Sequence, residues 1–248
     1  MDTLVRIERD GDVAIIVLDR PEARNAMNAA LAGQTVAAIE TCQDAGAIII
    51  TGADPAFCAG LDLRDLGVDT LADLPPFNAT AAASSVPLVA AVNGPAVTGG
   101  LELALACDFI VASERARFAD THLRVGVYPG PVLVELPRRV GMAWAREMSL
   151  TGNFVDAELA LRIGLVNHVV PHDELLPYAC TLAGAIAEQD RAMVQAMRRD
   201  WDATDRLPVA EAHRIHIEHA QRGAFRSRTG ADIAAHRDAV IQRAHQQQ

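Results

Sequence analysis

Two short segments of this 248-residue sequence put glycine beside the start of a helix directly after an apolar strand: Phe57-Cys58-Ala59-Gly60-Leu61-Asp62 and Val97-Thr98-Gly99-Gly100-Leu101-Glu102. The first residues of a helix carry N–H donors with no partner inside the helix, and the helix dipole adds partial positive charge, so such ends attract a developing anion. Two of them acting together make an oxyanion hole, in which loss of one donor costs on the order of 3 kcal/mol of transition-state stabilisation. Each segment alone also has a plainer explanation, since glycine permits a tight strand-to-helix turn. One strand and one helix separate the two, and Glu102 stands one turn into the second helix; this arrangement favours a shared site.

The glycines from Gly94 to Gly100 imitate the spacing of a phosphate-binding P-loop, but Leu101 and Glu102 follow where that loop needs lysine and a hydroxyl residue. All 22 basic residues are arginine. Without lysine, a Schiff base, a pyridoxal-phosphate linkage and a P-loop lysine are all excluded. The 32 acidic residues leave a net charge of −10, which disfavours nucleic acid as a partner, because a broad basic face is needed to displace counterions from phosphates. An anionic ligand must therefore be met locally.

Cys42, Cys58, Cys107 and Cys180 lie scattered in apolar company with no CxxC spacing, so they read as reduced packing residues rather than a zinc site or a disulfide framework. No run approaches the roughly 18 apolar residues of a membrane span, and charges stand in the N-terminal segment where a signal peptide would be apolar. The expectation is a cytoplasmic protein with no membrane partner. His213, His216 and His219 share one helix, but their spacing turns too far for one tight metal site, and they read as solvated.

The elements that must position the candidate residues can be read from periodicity. Thr3 to Arg9 and Val13 to Leu18 form a hairpin about Asp10-Gly11-Asp12. A helix runs from about Ala29 to Asp44, a buried strand from Ala47 to Thr51, and a short helical turn starts near Asp62. Residues 67–85, with Pro75-Pro76, read as a loop leading into a helix and as a candidate lid. Strand Val86 to Val92, turn Asn93-Gly94-Pro95, helix Leu101 to Ala106 and strand Asp108 to Ala112 follow. Alternation of this kind favours a sheet with crossover helices. Beyond Gly141 the pattern is helical, near 142–150, 156–163, 173–203, 208–222 and 230–245, with one short strand at about 165–169.

The segments AFCAGLDL (56–63) and VNGPAVTGGLELALACDFIVAS (92–113) resemble the two signature stretches of the enoyl-CoA hydratase/isomerase (crotonase) superfamily. RPEARNAMN, ARFADTHLRVGVYPG and MSLTGNFVDAELALRIGLVNHVV extend the resemblance over nearly the whole chain, most weakly after about residue 180. It implies an α/β fold, a crotonase-like spiral of ββα units over residues 1–190, with a helical C-terminal region over 191–248 that serves oligomerisation and covers the active site. It also implies acyl-CoA thioester substrates, a homotrimer or dimer of trimers, no metal, and no cofactor beyond the coenzyme A that enters with the substrate.

By the same resemblance the backbone N–H groups of Leu61 and Gly99 form the oxyanion hole. Arg24 matches a basic position near the CoA phosphates, although an ordinary surface arginine would look the same. Ala59, Gly60 and Asp62 line the adenine side, and Gly100 adjoins the acyl thioester. Glu102 matches one of two acid–base glutamates; its other reading is a helix glutamate favoured near the N-terminus by the dipole. The second glutamate should follow a phenylalanine by four residues, and counting from Phe118 gives His122 instead. An imidazole exchanges protons near neutral pH, so His122 either takes over that role or only fills the space, and Asp120 either orients it or faces solvent. The expected activity is hydration of a trans-2-enoyl-CoA. Double-bond isomerisation, decarboxylation and thioester hydrolysis share the same demand for oxyanion stabilisation, and a non-catalytic acyl-CoA binder is the reading from a different class.

Overall fold

The runs VAIIVL, AIIITG and LVAAV have no polar face, and strands of that kind are stable only where both faces of a sheet are covered. A computed structural model describes residues 2–62, 64, 74–222 and the single positions 230, 237 and 241. In it the runs become β2 (Val13–Leu18), β3 (Ala47–Gly52) and β4 (Leu88–Val92), buried along their full length. With β1 (Val5–Asp10), β6 (Phe109–Ser113) and β9 (His168–Val170) they form a six-stranded sheet in the order β1-β2-β3-β4-β6-β9. β1 is antiparallel to β2, pairing Ile7 with Ile16, and the other pairings are parallel, with Ile16, Ile50, Ala90 and Ile110 in register.

One face of this sheet packs on α7 (Leu175–Ala187) through Leu175, Ala179 and Ala183. The other packs on the main core, which includes α1 (Ala29–Thr41) and α3 (Gly99–Leu105). α1 begins where it does because the Asn28 side chain accepts the Leu31 N–H at 2.9 Å, satisfying an otherwise orphan donor.

A second sheet is built from three very short strands: β5 (Pro95–Val97), β7 (Arg117–Ala119) and β8 (Val155–Asp156). The chain thus leaves the large sheet, adds β5 to the small one and returns through α3 to β6; from β6 it again adds β7 to the small sheet and enters a helix, α4 (Val132–Val140), but reaches β9 only after a further small-sheet strand, β8. This is the ββα spiral. The sequence pattern gave Asn93-Gly94-Pro95 as a turn and assigned no element to 116–140, so β5, β7 and α4 are additions. Strands of three residues are too short for a period to register. In α4 the core stripe Val132, Leu136 and Val140 is masked by Pro137 inside the helix.

Further along, α5 (Met142–Thr151), α6 (Ala157–Arg162) and α9 (Val209–Arg222) lie where helical periodicity put them. The single helix expected over 173–203 is instead two, α7, which stops at Ala187, and α8 (Arg191–Thr204), which Asp190 caps by accepting the Met193 N–H at 2.9 Å. α2 spans Phe77–Ala82. The short turn after Asp62, the candidate lid up to residue 73 and most of the helix at 230–245 fall outside the described residues.

The chain divides into two compact units, Met1–Gln189 and Asp190–Gln248. In the second, His216 and His219 are not merely solvated: their Nδ1 atoms contact the two oxygens of Asp200, His216 at 2.8 Å, joining α9 to α8. No helix is long and apolar enough to cross a membrane among the described residues.

Candidate active site

The first glycine turn is attached directly to the strand that feeds the second. The Cys58 N–H donates to the Pro95 carbonyl at 3.1 Å, and the Val97 N–H returns to the Cys58 carbonyl at 3.0 Å. Gly60 and Gly100 then let the turns close on each other, with Gly99 beside them. A Cβ on Gly60 would lie 2.0 Å from Thr98 Oγ1, one on Gly100 would lie 2.2 Å from the Cys58 carbonyl oxygen, and one on Gly99 would rest 3.7 Å from the Leu61 side chain. Gly60 also has φ +94°, a region open to glycine at no cost.

The donors on either side of the candidate groups are already committed. Met27 N–H donates to the Gly60 carbonyl at 2.7 Å and Asp62 N–H to the Met27 carbonyl at 3.0 Å, while Thr98 N–H donates to the Ala119 carbonyl at 3.0 Å. Between them, the N–H groups of Leu61 and Gly99 have no acceptor among the described residues. Thr98, just before Gly99, has φ 45° and ψ −111°, a costly conformation for a β-branched residue. Strain of this sort persists only where the surroundings impose it, and here it sets the direction of the Gly99 N–H.

Glu102 is buried on α3, with Oε1 accepting the Val132 N–H at 3.2 Å and Oε2 accepting an Nδ2–H of Asn78 at 3.1 Å. Burial raises its pKa, a shift opposed by the Val132 and Gly130 N–H groups and by the charge of His122 and reinforced by Asp120. His122 and Asp120 are buried as well, and His122 Nδ1 lies 2.6 Å from Asp120 Oδ1. Burial alone would lower the His122 pKa. The Asp120 hydrogen bond and the charges of Asp120 and Glu102 outweigh it, so the pKa is raised. The Asp120 carboxyl is resisted by burial too, but its bonds to His122 hold it below the ordinary range. Glu102 and the Asp120–His122 pair thus lie within electrostatic reach of each other, with Glu102 on the helix that Gly99 begins. A carboxylate and an imidazolium together can move one proton in each direction.

The remaining candidate positions divide between structural and open roles. The Asp62 carboxylate is occupied by Arg20 Nη1 at 2.6 Å and by the Arg64 N–H at 3.1 Å, so the side chain ties the turn down. Ala59 donates its N–H to the Arg24 carbonyl at 3.1 Å. Arg24 itself is exposed, and its guanidinium has no carboxylate partner among the described residues. Asn25, fully buried, donates to the carbonyls of Ala53 and Ala56 at 2.8 and 2.7 Å and so holds the loop that leads to Leu61.

One arrangement imitates a hydrolase triad: Ser113 Oγ is 3.0 Å from His172 Nδ1, and His172 Nε2 is 3.1 Å from Asp54 Oδ2. Ser113 has 0% exposure and its oxygen already accepts the Arg115 N–H, so no acyl group can reach it. Asp54 also accepts from Asn93 at 2.9 Å, and the cluster serves as a clamp on the loop.

The profile of the enoyl-CoA hydratase/isomerase family matches residues 8–229. The chain belongs to the enoyl-CoA hydratase/isomerase family. Among its relatives, a probable enoyl-CoA hydratase of Rhizobium meliloti (strain 1021) is 42% identical over 218 residues, covering 84% of this chain and 85% of that one. The 2,3-dehydroadipyl-CoA hydratase of Escherichia coli (strain K12) is 38% identical over 222 residues, covering 84% and 87%. The crystal structure of enoyl-CoA hydratase from Mycobacterium tuberculosis H37Rv superposes with a TM-score of 0.76 at 42% identity, covering 91% of this chain and 100% of that one. An enoyl-CoA hydratase structure from Bacillus anthracis reaches 0.87 at 25% identity, covering 96% of each. The expected crotonase-like fold is thereby shown.

Within this hydratase/isomerase fold, three contributors to the site had no sequence signal. Asn78 is a lone amide among alanines, the Val132 N–H belongs to a helix hidden by its prolines, and Arg20 becomes visible only once Asp62 lies beside it.

Proposed function

We propose that this enzyme adds water across the double bond of a trans-2-enoyl-CoA thioester. The thioester carbonyl oxygen accepts the N–H groups of Leu61 and Gly99, and charge moves onto it as the enolate forms. Glu102 removes a proton from the attacking water, whose oxygen bonds to the β-carbon. The Nε2–H of the His122 imidazolium delivers a proton to the α-carbon, collapsing the enolate to the 3-hydroxyacyl thioester. Asp120 fixes the His122 tautomer and stabilises its charged form.

The observation that carries this reading is the buried Asp120–His122 pair within electrostatic reach of Glu102. Hydration needs a base for water and an acid for carbon, whereas isomerisation needs a single shuttling group, so two proton-exchanging groups in one site favour hydration. His122 then acts as an acid where a second carboxylate was expected. Arg24 meets the CoA phosphates, with Ala59, Gly60 and the backbone of Asp62 along the same edge and Gly100 packing the hole.

The enzyme works in the cytoplasm as a homotrimer or dimer of trimers and needs no cofactor beyond the CoA of its substrate; the mass of the native assembly in solution checks the oligomer. Loss of the conjugated thioester absorbance of crotonyl-CoA and longer enoyl-CoAs tests the reaction. Turnover abolished by Glu102→Gln supports the enzyme. Tight binding of the same thioesters without turnover supports a binder instead, and conversion of a 3-enoyl-CoA without hydration supports an isomerase.

A further inference from the structure

Asn78 sits at the second position of α2, beside Phe77, whose ring tip lies 3.6 Å from where a Cβ of Gly99 would be. α2 therefore forms a wall against the start of α3. Asn78 makes one side-chain hydrogen bond among the described residues, from Nδ2 to Glu102 Oε2 at 3.1 Å. Its own Oδ1 is buried and has no partner there. Turning the amide over would set a carbonyl oxygen against the carboxylate, so the chemistry of the neighbour fixes the orientation. A buried amide oxygen left without a donor costs free energy, and natural proteins keep few of them. The side chain neither caps α2 nor bonds to its own helix. Its polar interaction is with Glu102.

We propose that Asn78 is a positioning residue for the base, its Nδ2–H and the Val132 N–H gripping opposite oxygens of Glu102 so that the carboxylate is held in one plane and aimed. Two donors, one on each oxygen, define the plane of a carboxylate that a single contact would leave free to rotate. Donors to the ionised form favour it over the acid, which opposes what burial does to this group. The groups facing Glu102 are thus Asn78, Val132 and Gly130 as donors and His122 and Asp120 as charges.

This inference rests on the proposal that Glu102 acts as the base in hydration, and the test separates the two. Asn78→Leu keeps the side-chain shape and removes the donor; Asn78→Asp keeps the shape and adds a like charge. The measurement is kcat and KM for crotonyl-CoA across pH. With Asn78→Leu, kcat at neutral pH should fall about 10- to 100-fold while KM stays within about threefold. The acidic limb of the kcat profile should also move to higher pH, with part of the activity regained there. Asn78→Asp should move the same limb further and be slower still at neutral pH, and it decides the matter if the leucine variant fails to fold. A limb that stays in place in either folded variant overturns the proposal, whatever happens to kcat, because a merely structural role would lower the rate without moving the base. A wild-type enzyme that leaves enoyl-CoA unhydrated overturns the reading of Glu102 and this inference with it; a hydrating wild type with unaltered variants overturns the inference alone.

Discussion

His122 offers only one of its ring nitrogens to chemistry, because Asp120 Oδ1 holds the other, Nδ1, at 2.6 Å in a site where both residues are buried. The pair determines which tautomer is present and keeps the ring charged to a higher pH than an exposed imidazole would stay. The imidazolium is available below the raised pKa and is lost as pH rises through it, while the Glu102 carboxylate, also raised, is lost as pH falls.

Asp120→Asn removes the charge and leaves an amide of the same shape. The basic limb of the kcat profile should then move to lower pH, and kcat near pH 8 should fall about 10- to 100-fold. Steady-state hydration of crotonyl-CoA from pH 5 to 10 reads both. An unmoved basic limb would mean that His122 is not the acid.

Gly60→Ala places a methyl group 2.0 Å from Thr98 Oγ1 on a backbone with φ +94°. The two turns must separate, and the hole loses its geometry. On the scale of a lost oxyanion donor, kcat should drop about 10²- to 10³-fold. The far-ultraviolet circular dichroism of the variant should match that of the wild type; its loss would point to general unfolding instead.

Thr98→Gly relieves the strain at φ 45°. Strained residues of this kind cost about 1–3 kcal/mol, partly offset by the greater freedom of glycine in the unfolded chain. The melting temperature should rise by about 2–4 °C. Activity should fall, since the strain aims the Gly99 N–H. A variant both more stable and fully active would show the strain to be unrelated to function.

Asp62→Asn removes the nearer of the two carboxylates of the Arg20 guanidinium, leaving Glu22 at 3.7 Å, in a largely buried setting, the Asp62 side chain being only 9% exposed. The expected loss is on the order of 2–4 kcal/mol. Burial works against charge on Asp62, but the Arg20 and Arg64 contacts outweigh it and lower the pKa. The wild-type pair therefore stabilises the fold above the ordinary carboxylate pKa and loses that contribution as pH falls through the depressed one. Urea unfolding at pH 7 and pH 3 should show the mutant and wild type converging at the lower pH.

Burial pushes the Cys58 thiol up to about 12. Since thiolate is the reactive form, alkylation at pH 8 should spare Cys58 in native protein and label it after denaturation. Rapid native labelling would show that the first glycine turn opens readily.

Patterns that repeat within a few residues were legible from the chain itself. The hairpin at Gly11, the buried runs VAIIVL and AIIITG, the two glycine turns and the place of Glu102 one turn into a helix are all local, as is the absence of lysine that removed whole classes of chemistry. The partners of those residues came from the fold, because hydrogen bonds between distant segments leave no period in the sequence. Asp120 lies two residues from His122, yet a loop of that length allows either contact or solvent, and only packing brought the carboxylate onto the ring. Asn78 and Val132 reach Glu102 across 24 and 30 residues, and Arg20 reaches Asp62 across 42. The composition thus set what the site can be made of, and burial and long-range contact decided which of its groups are charged, which are held, and which are left free to act.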